Sequence, residues 1–191
     1  MYRILLFILA LSLTSKSHSQ NFDYNIMLGQ AMFDFQGKTL KNESFKLSDY
    51  KGKNIMLVFW SKSCGGCNKE LPDLNLIKEE FKSENFVLLS VMDESIEELT
   101  NNDTTQYSLR IRNHPEGFYK YNRPIYRNQR INFEIVTEGI KIRDKIGLPH
   151  SSPITLFIDE DFIIRDYERA YYLYADNHQK LKDKLLAVLS K

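Results

Sequence analysis

Two stretches of the chain are almost continuously apolar. Ile55-Met56-Leu57-Val58-Phe59-Trp60 and Phe86-Val87-Leu88-Leu89-Ser90-Val91-Met92 have the pattern of strands covered on both faces in the middle of a sheet. Between them Leu71, Leu74, Ile77 and Phe81 recur at three- and four-residue steps with Lys and Glu interspersed, which predicts one apolar helical face from Gly66 onward. Pro72 lies inside that pattern and is expected to kink the helix, because it has no N–H to donate. Strand, turn, helix and strand make a βαβ unit with a right-handed connection.

The remaining pattern is less uniform. Ile154-Thr155-Leu156-Phe157-Ile158-Asp159 and Phe162-Ile163-Ile164-Arg165-Asp166-Tyr167 flank the polar Asp159-Glu160-Asp161, a hairpin signal. Leu181, Leu185, Val188 and Leu189 predict a C-terminal amphipathic helix, Ile131 to Val136 a short strand and Thr137 to Ile146 a helix. Near the start, Phe33 to Lys38 reads as a short extended segment and a turn, and Leu47 to Lys53 leads into the first clear strand. A short helix is expected at Ser95 to Thr100, stopped by Asn101-Asn102-Asp103. The Tyr-rich, Pro-broken stretch that follows has no period, so residues 101–130 read as an insertion in a single domain of residues 20–191. Its tyrosines serve either packing or a substrate surface.

The first residues differ in kind. Arg3 gives a positive start, Ile4 to Leu13 an apolar core and Ser17-His18-Ser19 a small-residue end, the organisation of a signal peptide over residues 1–19. The apolar stretch is too short to span a bilayer and no lipid-accepting cysteine follows, so the expectation is an exported chain without stable membrane insertion after cleavage, periplasmic in a two-membrane bacterium. The 26 Lys and Arg against 25 Asp and Glu show no long run of one sign, which argues against a nucleic-acid partner. Loss of the leader removes Arg3 and Lys16 but no acid, leaving the mature chain slightly acidic.

The 2 cysteines form one Cys-x-x-Cys, Cys64 and Cys67. A disulfide framework in an exported protein would use well-separated pairs, because a cross-link that closes almost no loop stabilises little. The pair therefore reads as chemistry. A cysteine at the turn from a buried strand into a helix points its sulfur at unpaired backbone N–H groups and the positive end of the helix dipole, which favours the thiolate. Cys64, the outer member, is the expected nucleophile, and Cys67, one turn into the helix, resolves the mixed disulfide. Gly65-Gly66 between them relaxes the loop more than a proline would, so the direction of exchange is not legible there. Lys62 and Lys69 flank the pair as solvated lysines without an assigned catalytic role.

The segment Phe59-Trp60-Ser61-Lys62-Ser63-Cys64-Gly65-Gly66-Cys67-Asn68-Lys69-Glu70-Leu71-Pro72 resembles the active-site segment of TlpA/ResA-like thioredoxins, above all in its Cys-x-x-Cys-x-x-Glu-x-Pro spacing. The resemblance extends to Leu47–Lys53 and to Pro153–Asp159. It implies an α/β thioredoxin-like fold, a central mixed sheet flanked by helices, with the insertion in the middle of the chain. It also implies a cis Pro153 against the cysteine pair, with backbone around Ser152 pairing with a substrate peptide, and Glu70 close enough to help move protons. The alternative for Glu70 is an exposed first-turn glutamate stabilised by the helix dipole. Trp60 and Ser63 complete the expected substrate-binding residues. Two departures stand out: positions that hold a buried Asp and a Trp in many thioredoxins are Val58 and Ser63, which leaves Glu70 or water as base and opens one side of the site.

The resemblance further implies a reductase of client protein disulfides, fed by an electron-donor protein and needing no cofactor. Other readings remain open: an oxidase or isomerase, a non-catalytic module presenting the insertion, or a copper or zinc site using Cys64, Cys67 and a histidine such as His150. The pair supplies only half of a structural zinc site, and His114 and His178 have no paired spacing.

Overall fold

The computed structural model describes residues 27–61, 63–97, 131–169 and 177–190. The leader, Lys62, the end of the helix expected at 95–100 and the insertion at 101–130 lie outside these residues.

A five-stranded sheet carries the chain in the order Glu134–Val136, Phe86–Met92, Asn54–Trp60, Ile154–Ile158 and Ile164–Arg169. Its centre is β3 (Asn54–Trp60), every residue of which is buried. β3 pairs in parallel with β4 (Phe86–Met92), from Asn54 opposite Phe86 to Trp60 opposite Met92. On its other side it pairs antiparallel with β6 (Ile154–Ile158). The edges are β5 (Glu134–Val136), parallel to β4, and β7 (Ile164–Arg169), antiparallel to β6. A mixed sheet follows because the first two core strands are joined by a helical crossover and the last two by a tight turn.

Alternation along β3 divides the core. Met56, Val58 and Trp60 face α1 (Gly65–Glu80) and α3 (Asn177–Leu189), where Cys67, Leu71, Leu74, Ile77, Leu181 and Leu185 cover them. Ile55, Leu57 and Phe59 face the opposite layer, made by α2 (Gly139–Ile146) and an N-terminal hairpin. Burial of side chains this large contributes about 1.5–3 kcal/mol each, so the two layers fix where β3 ends and the helix begins.

The hairpin consists of β1 (Gln36–Lys38) and β2 (Ser44–Lys46), antiparallel with Gly37 opposite Phe45. The sequence pattern yields only an extended segment and turn there, because each strand is three residues long and mostly exposed. Gly37 is required by contact: a Cβ at that position would lie 2.7 Å from Val136 Cγ1. Pro72, where a kink is expected, lies inside α1, which runs through it to Glu80.

Candidate active site

β3 delivers the chain to the C-terminal end of the central strand, and Cys64 caps the helix that follows. Cys64 is extended (φ −77°, ψ 108°), and its Sγ accepts the Cys67 backbone N–H at 3.1 Å. One of the N–H groups left over at the start of α1 is thus spent on sulfur, which favours negative charge there. The Cys64 N–H bonds the Ser61 carbonyl at 3.1 Å, closing the turn. Cys64 and Cys67 are joined as a disulfide. Cys64 is half-buried and Cys67 is buried. A partner thiolate therefore reaches Cys64 first.

Across from the pair, the Ser152–Pro153 peptide bond is cis. The Ser152 carbonyl oxygen lies 3.5 Å from Cys64 Sγ. In the disulfide that sulfur has no proton to donate, so the contact becomes a hydrogen bond only when Cys64 is a thiol. Ser63, directly before the pair, is exposed and its hydroxyl lies 2.8 Å from that of Ser61, which donates to Glu94 at 3.1 Å. Trp60 differs from the expectation of a substrate-binding side chain. It is 1% exposed and packs among Cys67, Leu71 and Met92, with Nε1 lacking a hydrogen-bond partner among the described residues.

Glu70 is not an exposed first-turn glutamate. It is 3% exposed, one turn beyond Cys67, and its Oε2 has no hydrogen-bond partner among the described residues. Burial first, then the neighbouring charges of Asp73 and Glu168, push its pKa up from 4.5 to about 8. His178 Nδ1 lies 4.0 Å from Asp73, and Lys180 Nζ lies 2.9 Å from Glu168. The raised pKa makes Glu70 an acid that takes up a proton as pH falls through about 8.

Sequence reasoning missed a second buried group. Arg143 on α2 is fully buried. Its Nε donates to Asp93 Oδ1 at 2.8 Å, Nη1 to the carbonyls of Pro149 at 2.7 Å and Ser151 at 3.0 Å, and Nη2 to Ser152 Oγ at 2.6 Å. Ser152 Oγ in turn donates to Asp93 Oδ2 at 3.4 Å, and the guanidinium carbon lies 5.0 Å from the centre of the Phe59 ring. A signal was present. Gly139, Ile142, Arg143 and Ile146 are the buried residues of α2 and occupy i, i+3, i+4 and i+7, so Arg143 stands in the apolar stripe.

Among the described residues the two histidines, His150 and His178, lie against acids, and His114 lies outside these residues. His150 Nε2 lies 2.7 Å from Asp144 at the surface and His178 Nε2 lies 3.2 Å from Glu80. Among the described residues no group of three or more His, Cys, Asp or Glu side chains is placed to hold a metal ion. Among the same residues no helix is long and apolar enough to cross a membrane.

Comparison with known proteins agrees with this geometry. The family model described as AhpC/TSA family matches residues 28–167. Thioredoxin-like protein YneN of Bacillus subtilis is 37% identical over 59 residues, 31% of this chain and 35% of that protein. Thiol-disulfide oxidoreductase ResA of Geobacillus kaustophilus is 33% identical over 66 residues, 35% of this chain and 38% of that protein. The chain thus matches little more than a third of the length of either relative. Among solved structures, the pneumococcal exposed lipoprotein thioredoxin Etrx1 of Streptococcus pneumoniae superimposes with a TM-score of 0.57 at 20% identity, covering 81% of this chain and 99% of that one. The fold is thioredoxin-like.

Proposed function

Because the chain belongs to the AhpC/TSA family, we propose that it is a thiol–disulfide oxidoreductase that reduces disulfides of client proteins through Cys64 and Cys67. The observation that carries the reading is the pair itself: a half-buried sulfur capping α1, bonded to a buried one, with the Ser152 carbonyl 3.5 Å away.

In the reduced enzyme the Cys64 thiolate attacks one sulfur of a client disulfide. The client S–S bond breaks, a Cys64–client mixed disulfide forms and the first client thiolate leaves. Cys67 then loses its proton and attacks Cys64 Sγ, which re-forms the Cys64–Cys67 bond and releases the second client thiolate. The client gains two electrons and, from solvent and Cys67, two protons; the enzyme dithiol loses them. A dithiol electron-donor protein returns the electrons by attacking Cys64, with Cys67 as leaving group.

Glu70 suits both proton steps. A carboxyl group with a pKa of about 8 exchanges a proton with an ordinary thiol almost without cost. Protonated, it donates to the departing Cys67 thiolate during re-reduction; ionised, it accepts the Cys67 proton during resolution. Ser63 and Ser152 form the surface a client meets, with Pro153 buried directly behind Ser152, and Trp60 acts beneath it by supporting Cys67. The reductive direction draws on the similarity to ResA, and export on the apolar leader ahead of Met27.

Insulin-disulfide reduction with dithiothreitol as final donor tests the mechanism. Cys64→Ser is expected to abolish turnover and Cys67→Ser to accumulate mixed disulfide. Multiple turnover by Cys67→Ser at the wild-type rate would falsify the two-cysteine mechanism. Direction is read from the reduction potential: a value near or below that of thioredoxin, about −270 mV, supports a reductase, and one near DsbA, about −120 mV, an oxidase.

A further inference from the structure

Asp93 and Glu94 stand at the end of β4 and send a contact to each side of the cysteine pair. Glu94 accepts from the Ser61 hydroxyl, which also meets the Ser63 hydroxyl on the approach to Cys64. Asp93 holds Arg143, which spans the other side. Four groups accept from the guanidinium: Asp93 and, in the loop before the cis proline, the carbonyls of Pro149 and Ser151 and the hydroxyl of Ser152. The next atom group along is the Ser152 carbonyl, 3.5 Å from Cys64 Sγ.

A fully buried guanidinium cannot shed its proton, so it persists only with acceptors around it. Here the acceptors other than Asp93 lie in a loop without a strand or helix of its own, from Gly147 to Pro153. Removing a planar donor with several N–H groups leaves two carbonyls and a hydroxyl to find other partners, and the loop is then free to move relative to the sulfur. The base of the device is tight as well. A Cβ on Gly139 would lie 2.8 Å from Asp93 Oδ1 and 2.8 Å from the Met92 carbonyl oxygen, so α2 packs directly on the end of β4.

We propose that Arg143, braced by Asp93, is a positioning residue for thiol–disulfide exchange: it holds the Pro149–Ser152 loop at the distance from Cys64 at which a polypeptide client is seated. The proposal rests on the oxidoreductase reading above. A polypeptide whose disulfide reaches Cys64 must lie along this loop, whereas a small disulfide reaches the half-buried sulfur without it. Precise placement therefore matters for one class of substrate and not for the other.

Arg143→Lys keeps the positive charge but replaces the planar fork with a three-donor point charge that cannot reach the same four acceptors. The variant and wild type are compared with insulin and with hydroxyethyl disulfide, alongside circular dichroism and hydrogen exchange of the peptide spanning 147–156. The expected result is a folded variant whose kcat/KM for insulin falls at least tenfold, mainly through KM. Its rate with hydroxyethyl disulfide stays within twofold, and exchange in 147–156 speeds up by at least tenfold. Equal losses on both substrates, or no loss on insulin, overturn the proposal while leaving the Cys64–Cys67 chemistry intact. A wild-type chain that reduces neither disulfide removes the oxidoreductase reading and this proposal with it. If Arg143→Lys does not fold, Asp93→Asn, which keeps an acceptor oxygen but loses the counter-charge, is put through the same comparison with the same outcomes deciding.

Discussion

On the α1 face of the sheet Glu70 is buried beside Asp73 and Glu168, with one oxygen unpartnered among the described residues and a pKa raised to about 8. On the α2 face Arg143 is buried just as deeply, but with a counter-charge, two carbonyls, a hydroxyl and the face of Phe59 around it. Both meet the cost of removing a charge from water, and they meet it in opposite ways. A carboxylate with too few partners takes up a proton and becomes neutral. A guanidinium has no such exit, so the fold must supply acceptors for it. The consequence for the site is a division of labour: the α1 side of the cysteine pair titrates near neutral pH, and the α2 side is a fixed framework.

The sharpest break of this comparison is to delete each charge in turn. Arg143→Met, similar in length and apolar, leaves Asp93 and the loop carbonyls without their donor. Unfolding by urea at pH 7 is expected to show a loss of about 3–5 kcal/mol, the range for removing one partner of a buried pair. Glu70→Gln removes no charge that is present at pH 5, and at that pH its cost is expected to stay below about 1 kcal/mol. Similar losses for both variants at pH 5 would mean that Glu70 is ionised and paired in the folded protein.

The second effect is one of pH. The folded-state pKa of Glu70 lies above its ordinary value of 4.5, so the folded protein binds this proton more tightly than the unfolded chain does. Its contribution to stability is complete below about pH 4.5 and is lost as pH rises toward about 8, because the unfolded chain then gains by ionising first. The loss across that window reaches up to about 4 kcal/mol. Urea midpoints of the oxidised protein from pH 5 to 8.5 should therefore decline more steeply for wild type than for Glu70→Gln, and the variant should be the more stable of the two at pH 8. Parallel curves for the two proteins would remove the proton role assigned to Glu70.

How much of this was legible in the sequence differs between the two faces. β3 and β4 are readable to within a residue because strands in the middle of a sheet are apolar on both faces, and the hairpin β6–β7 because Asp159-Glu160-Asp161 separates two apolar runs. The β1–β2 hairpin was not legible as a hairpin, since Phe45 is the one buried side chain in its two three-residue strands. At the site, Cys64, Cys67 and Pro153 stand out through spacing and resemblance. The two buried charges are harder, because a lone charged residue in a helical pattern is ordinarily given to the solvent face. Their spacing contradicts that reading: Glu70 lies at i+3 of the buried series Cys67, Leu71, Leu74, and Arg143 at i+4 of the series Gly139, Ile142, Ile146. Asp93 carries no such signal. It lies just past a strand end, and only the packing of α2 on β4 shows why an acid is needed there.

The smallest effect tests whether the two faces are independent. Gly139→Ala adds a single methyl group where Asp93 Oδ1, the Met92 carbonyl and Asp93 Cα would lie 2.8, 2.8 and 2.9 Å away. All three are held by the end of β4, so α2 must back away from it. The expected loss is about 1–3 kcal/mol, the usual cost of overpacking, together with faster hydrogen exchange in the loop that Arg143 holds. Nothing in that displacement touches Glu70, Asp73 or Glu168 on the far side of the sheet. The decline of stability between pH 5 and 8 should therefore keep its wild-type slope in Gly139→Ala while the whole curve moves down. A flattened slope would mean that a shift of α2 is transmitted through β3 to the surroundings of Glu70, and the framework and the titrating acid would then have to be treated as one mechanical unit.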